Sequence, residues 1–269
     1  MSEEQAGSSS EAEPQLSKHQ LKRKRKHELF LATRKERRQN ERERKKRRKA
    51  EAKSEGNPKP SRKMLKQSTM ANSSCKIRVA VDMSFESLMT EQQIRKALHQ
   101  LGFCYAANRR ADNPLQFYVT ALSDTSKQAG VFSKRICSRF KIFESAENRL
   151  HWDVHRSEDG LGSIFAQDEI VYLTSDSPNV LNGLEESKVY VIGGLVDHNS
   201  HKGVCHRRAE EKGWAHARLP ISEEVKLKAT KVLTINHVFE ILLKFTHCNS
   251  WKEALMTVIP RRKGICAKD

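Results

Sequence analysis

Apolar positions are unevenly spread along the chain, and the pattern passes through three regimes. Residues 1–15 are mostly Ser, Glu and Gln, with almost nothing to bury, and read as a disordered leader. Residues 17–53 are Lys, Arg and Glu, which favour helix. Leu21, Leu29, Phe30 and Leu31 are the large apolar residues of that stretch, a stripe too thin to build a core, so a solvated or nascent helix is expected. Gly56, Asn57, Pro58 and Pro60 end it and mark a linker.

At Cys75 the pattern changes. Lys76 to Asp82 alternates and ends on an acid, as a strand does before a turn. Thr90 opens a helix as N-cap, with apolar positions at Ile94, Leu98 and Leu101. Strands are predicted over 116–122, 169–174 and 188–194, and a short one ends in Ala217-Arg218-Leu219-Pro220. Helices are predicted over 127–139, over 202–212 with a stop at Gly213, over 233–245, and over 251–258. Strands alternating with helices imply an α/β domain, a parallel sheet covered on both faces. The expected organisation is an acidic leader over 1–15, a basic arm and linker over 16–74, and the α/β domain over 75–269.

Charge sharpens this division. The whole chain carries +17; Leu16 to Lys53 holds 18 Lys or Arg against 5 Glu, a net of +13. So concentrated a charge points to an acidic partner. The densest run is Lys45-Lys46-Arg47-Arg48. The arm reads as an RNA contact or as a localisation signal, and the two can coexist. No apolar run reaches the roughly 18–20 residues that span a bilayer, so no membrane partner is expected. The acidic, polar start is not expected to act as a secretory signal or mitochondrial presequence. The cysteines Cys75, Cys104, Cys137, Cys205, Cys248 and Cys266 are widely separated with no CxxC pair, and read as reduced thiols of a cytosolic or nuclear protein.

In open parallel sheets, ligands bind beyond the carboxyl ends of the strands. Three segments end there: 172–176, 191–197 and 217–220. Gly193-Gly194 lets backbone approach a flat ligand, and Asp197 follows on the loop. The alternative is a Gly-Gly turn with an Asp that caps the next helix. GxGxxG and GxxxxGK[ST] are both missing, which argues against dinucleotide enzymes and P-loop NTPases. His198, Asn199, Ser200 and His201 lack a placed carboxylate partner, so no metal is expected there. Arg109-Arg110, at the end of the first domain helix, either meets phosphates or complements the helix dipole.

The strings VYLTSDSPNVL (171–181), KVYVIGGLVDHNSHKG (188–203), ARLPI (217–221), KVLTINHVFEIL (231–242) and IPRRKG (259–264) carry a resemblance. YAANRRA (105–111) and VAVDMSF (79–85) also fit. Over roughly Lys76 to Gly264 the chain resembles the tRNA methyltransferases that act on N1 of the purine at tRNA position 9, a branch of the SPOUT superfamily. SDSPN and GGLVDHN look closest to the nuclear-cytosolic, guanine-specific animal members. The mitochondrial member, which works with partner proteins, is a poorer fit. The resemblance implies a C-terminal trefoil knot with S-adenosylmethionine among its loops. It places the cofactor at Leu173, Thr174, Gly193, Asp197 to His201, Cys205, Leu219, Lys231, Val232 and Leu233. It makes Asp197 the general base, tRNA the partner, and the protein a monomer of nucleus and cytoplasm that needs neither a metal nor an obligate protein partner. A base at tRNA position 9 must leave its stack to be reached, at a cost of a few kcal/mol. Lys45 to Arg48 and Arg109-Arg110 are the candidate RNA contacts. The competing readings are a non-catalytic RNA-binding or ribosome-assembly protein, and a SPOUT enzyme for another RNA or for adenine at position 9.

Overall fold

The computed structural model describes residues 17–54, 64–65, 68–122, 152–197, 200–228 and 230–268. The leader, the helix expected over 127–139, Cys137, His198 and Asn199 lie outside the described residues. The chain divides into two units, Met1–Pro60 and Ser61–Asp269.

In the first unit the basic stretch is helical: α1 spans Lys18–Ala32 and α2 spans Arg34–Ser54. Ser17 and Gln20 form a capping box at the start of α1, each side chain accepting from the other's backbone N–H. Thr33 separates the helices, and its hydroxyl donates back to the Leu29 carbonyl (2.9 Å). No residue of α1 is buried. Pairs such as Glu41–Lys45 (2.6 Å) stand one turn apart on the exposed surface of α2.

The second unit is an open sheet in the order β3-β2-β1-β5-β4-β6, with every pairing parallel. Its strands are β1 Arg78–Asp82, β2 Gln116–Thr120, β3 His155–Arg156, β4 Ile170–Leu173, β5 Val189–Gly193 and β6 Ala215–Ala217. Between β1 and β2 runs α3, Glu91–Asn108; between β5 and β6 runs α4, Val204–Lys212. The chain ends with α5 (Ile235–Cys248), α6 (Trp251–Val258) and a small antiparallel pair, β7 (Val225–Lys226) with β8 (Cys266–Ala267).

Successive strand residues enter two cores. Val79, Val81, Phe117, Val119, Tyr190 and Ile192 pack towards α3, α5 and α6. Ala80, Ile170, Tyr172, Val189 and Val191 pack on the other face with Ala209 of α4, Leu161 and Phe165. This corrects the alternating reading of 76–82. From Val79 to Asp82 every position is buried, because a parallel sheet covered on both faces has no polar side. The packed unit also reaches back beyond Cys75: Met70 is buried in the core and its N–H donates to Asp153.

Candidate active site

The chain leaves β4, β5 and β6 at the same edge of the sheet. The loops that follow close around a cavity of about 430 Å3, together with residues 231–233 and the start of α5. That volume falls in the usual range for small-molecule sites, about 300–1,000 Å3. The end of β4 and its loop bring Leu173, Thr174, Ser175 and Asp176; the end of β5 and its loop, Gly193, Leu195, Asp197 and His201; the loop after β6, Arg218, Leu219, Ile221 and Ser222. Lys231, Val232 and Leu233 close the remaining wall with Ile235 and Val238. Gly203, Val204 and Cys205 contribute the first turn of α4. Gly203 has φ +71°, a conformation that favours glycine, and its N–H donates to the Asp176 carboxylate (3.2 Å), joining two of the loops.

The glycine pair at the end of β5 is also closely hemmed in by protein. A Cβ on Gly193 would lie 2.7 Å from Cys205 Sγ; one on Gly194 would lie 2.6 Å from the Asp82 carbonyl oxygen. Both positions are small because protein packs against them, so the pair sets the close approach of α4 and β1 to β5.

Asp197 is buried on the cavity wall. Its Oδ2 accepts from the His201 backbone N–H (2.6 Å) and lies 3.2 Å from His201 Nδ1. It therefore ties Asp197 to His201; the N-cap of α4 is Gly203, not Asp197. Ser200 is exposed, off the cavity lining, and its hydroxyl donates to the Asp197 carbonyl (2.7 Å).

Beneath the cavity lies a polar network centred on buried Asp82 and Tyr172, which the sequence pattern did not single out. The Tyr172 hydroxyl and Arg208 Nη1 both donate to Asp82 Oδ2, at 2.8 and 3.1 Å. Ser84 donates to Oδ1 from its N–H (3.1 Å) and its hydroxyl (2.6 Å), and Arg208 also contacts the Ser84 hydroxyl. The Arg208 guanidinium lies 3.9 Å from the centre of the Phe85 ring, a cation–π stack. Burial pushes the Tyr172 phenol well up, with the Asp82 charge adding to it. Burial likewise pushes the Cys205 thiol up to about 12, again with help from Asp82.

The 231–233 wall is held from outside. Lys263 Nζ donates to the carbonyls of Thr230 and Val232, each at 2.8 Å, and Lys231 Nζ donates to Ser222 Oγ (2.6 Å). Arg109 and Arg110 do not line the cavity. They sit at the C-terminal end of α3, next to Asn108, whose side chain holds Leu115 just ahead of β2, and so at the opposite edge of the sheet. Arg109 Nε donates to the Leu65 carbonyl (3.3 Å) and Arg110 Nη1 to Ala106 (2.7 Å). Lys45, Lys46, Arg47 and Arg48 lie on α2 in the other unit, with Lys45 and Arg47 paired to Glu41 and Glu51.

Comparison with known proteins gives a consistent picture. A family model described as tRNA (guanine(9)-N(1))-methyltransferase TRM10/TRM10A matches residues 14–264. A Drosophila melanogaster protein named tRNA (guanine(9)-N(1))-methyltransferase Trmt10A is 43% identical over 258 residues, 94% of this chain and 77% of that protein. Rat tRNA methyltransferase 10 homolog A is 43% identical over 189 residues, 70% of this chain. The chain spans about half to three fifths of the length of the mammalian relatives, 53% for the rat protein and 60% for the mouse protein. Among solved structures, the spTrm10(Full length)–SAH complex superposes with a TM-score of 0.59 at 31% identity, over 70% of this chain and 97% of that one. The crystal structure of spTrm10(74) gives the same score and identity over 69% of this chain and 95% of that one.

Proposed function

The chain belongs to the TRM10/TRM10A family of tRNA (guanine(9)-N(1))-methyltransferases. From that premise we propose that it transfers the methyl group of S-adenosylmethionine to N1 of guanine at position 9 of tRNA. The observation that carries this reading is the convergence of three strand-end loops and the 231–233 segment on one cavity with Asp197 in its wall. The lining fits the cofactor. Leu173, Leu219, Leu233, Ile235 and Val238 offer apolar surface for a flat base, while Thr174, Asp176 and Lys231 bring polar groups to the same cavity.

When bound, S-adenosylmethionine supplies an electrophilic methyl group on a sulfonium. The residues supply positioning and a place for a proton. Guanine N1 is a poor nucleophile while protonated, and the Asp197 carboxylate takes that proton as general base. The His201 backbone N–H fixes the carboxylate so that no reorganisation is needed at the moment of transfer.

The reading extends further on the resemblance. The C-terminal part of the domain forms a trefoil knot, in keeping with the way its loops meet at one cavity. The basic helices neutralise tRNA phosphates, supported by their exposed charge. The protein works as a monomer without an obligate partner, in nucleus and cytoplasm, as the resemblance implies. Mass-spectrometric mapping of a tRNA transcript after incubation with the purified chain and labelled S-adenosylmethionine tests the function. Label on N1 of guanine 9 is expected. Label elsewhere, or none, overturns it.

A further inference from the structure

One cluster of titratable side chains lies outside the cavity lining. His206 and Glu210 stand one turn apart on the same face of α4, and β6 brings His216 against them. His206 Nδ1 is 3.4 Å from Glu210 Oε2. The two imidazole rings meet edge to face with centroids 4.4 Å apart. One ligand atom from each of the three residues lies within 4.8 Å of the others. We propose that His206, Glu210 and His216 form a structural site for a divalent transition-metal ion, zinc being the best fit, that pins α4 to β6.

Four observations support the site. First, the spacing is right. Zinc bonds of about 2.0–2.2 Å in a tetrahedron place ligand atoms about 3.4 Å apart, and one ligand atom from each of the three residues already lies within 4.8 Å of the others, close enough for an ion to draw them in. Glu210 is exposed and its carboxylate can turn to complete the set.

Second, His216 has an outer partner. Its Nδ1 lies 2.9 Å from the hydroxyl oxygen of buried Ser177, which also accepts from the Asn179 N–H (3.1 Å) and lies within reach of the His216 and Asn179 carbonyls. With the hydroxyl hydrogen given to a carbonyl, Ser177 accepts from His216 Nδ1–H. That leaves Nε2 bare, the tautomer a metal needs, and fixes the ring as ligating histidines are usually fixed.

Third, His206 Nε2 is buried with no hydrogen-bond partner. Such an orphan is uncommon, and it marks a ring whose bonding its surroundings do not complete. Fourth, the donor set is selective. Two imidazoles and one carboxylate suit zinc and its neighbours, whereas calcium and magnesium take oxygen. Three protein ligands leave a fourth position for water.

The ion would act on the cavity without taking part in the chemistry. The first turn of α4, Gly203 to Cys205, lines the cavity, and Ser177 follows the cavity residues Thr174 to Asp176. Fastening α4 to β6 therefore stiffens two cavity walls. The site does not depend on the methyl-transfer reading, and its test needs no activity.

The full chain, stripped with a chelator and dialysed, is titrated with zinc by calorimetry and with cobalt(II) followed by its visible ligand-field spectrum. One zinc per chain, a tetrahedral cobalt spectrum and a rise in melting temperature are expected. Removal of a direct ligand in His206→Gln or His216→Gln should weaken zinc by more than the roughly tenfold that removal of an outer partner costs, and Ser177→Ala should show about that smaller effect. Where a histidine variant fails to fold, Glu210→Gln at its exposed position replaces it, with the same expected weakening. Absence of saturable zinc binding by the native chain, or zinc affinity unchanged in the folded ligand variants, overturns the proposal.

Discussion

Asp197 illustrates how one side chain can tie down a neighbouring residue and still serve chemistry. Its Oδ2 accepts from the His201 backbone, and an Asn in its place keeps an oxygen for that N–H. That tie should survive Asp197→Asn, whereas proton acceptance at neutral pH should not. Binding of S-adenosylhomocysteine and tRNA should stay near native, with single-turnover methylation slowed by about 10²–10⁴-fold. A slowing of under about threefold would confine Asp197 to tying down His201. Cys205 presents the reverse case, a nucleophile kept silent. Its ordinary value of 9.0 is pushed up to about 12 in the fold, so the thiol stays neutral in the native protein. Because the folded value lies above the unfolded one, the stabilisation is full below about 9 and is lost as pH rises towards about 12. Iodoacetamide at pH 8 should label exposed Cys266 well before Cys205, as read by peptide mass spectrometry; equal labelling would contradict the burial. Gly193 and Asp197 stand in one short string of sequence and Cys205 follows just after it, and the fold brings all three to one cavity. Asp82 and Arg208 stand 126 positions apart, and only the folded sheet makes them partners.

Among the elements, those with strong local signals were read well. The helix opened by Thr90 has the expected cap, with Gln93 completing a capping box, and 251–258 is helical as predicted. The helix predicted over 233–245 begins two residues later, after the extended Thr234, and runs on to Cys248 before Asn249 turns to φ +50°. The two-residue strands β3, β7 and β8 are too short to show any period, so no pattern could have found them. The same limit hid the clasp on the 231–233 segment, where Lys263 reaches back to two carbonyls some thirty residues earlier in the chain. Lys263→Met keeps the alkyl stem and removes both donors. It should weaken S-adenosylhomocysteine roughly tenfold, about 1.4 kcal/mol, a value reduced for the partial exposure of the ammonium. Lys263→Arg should restore part of the affinity. Calorimetry reads both variants, and native affinity in the Met variant would show that the segment is held without the clasp.

At the scale of the whole molecule, the chain divides into two units, Met1–Pro60 and Ser61–Asp269, which differ in apolar pattern and in charge. The α/β unit owes its order to buried surface on both sheet faces. The helices α1 and α2 have no such source of order: no residue of α1 is buried, and Leu29 and Phe30 are exposed. A net of +13 over Leu16 to Lys53 is costly to assemble without an anion to neutralise it, and it decays with salt as any exposed field does. Removing residues 1–60 should therefore weaken tRNA binding most at low ionic strength and leave S-adenosylhomocysteine affinity unchanged, because the cavity lies wholly in the other unit. The decisive quantity is the slope of log affinity against log salt. Each phosphate that is no longer neutralised should flatten it by roughly 0.7–0.9, so a handful of such phosphates separates the truncated from the full chain clearly. Charge-neutral replacement of Lys45, Lys46, Arg47 and Arg48 by Gln should give a smaller flattening of the same sign. If truncation lowers affinity but leaves the slope intact, the contribution is not phosphate neutralisation. If neither changes at moderate salt, the helices do not touch tRNA, and their charge serves localisation instead.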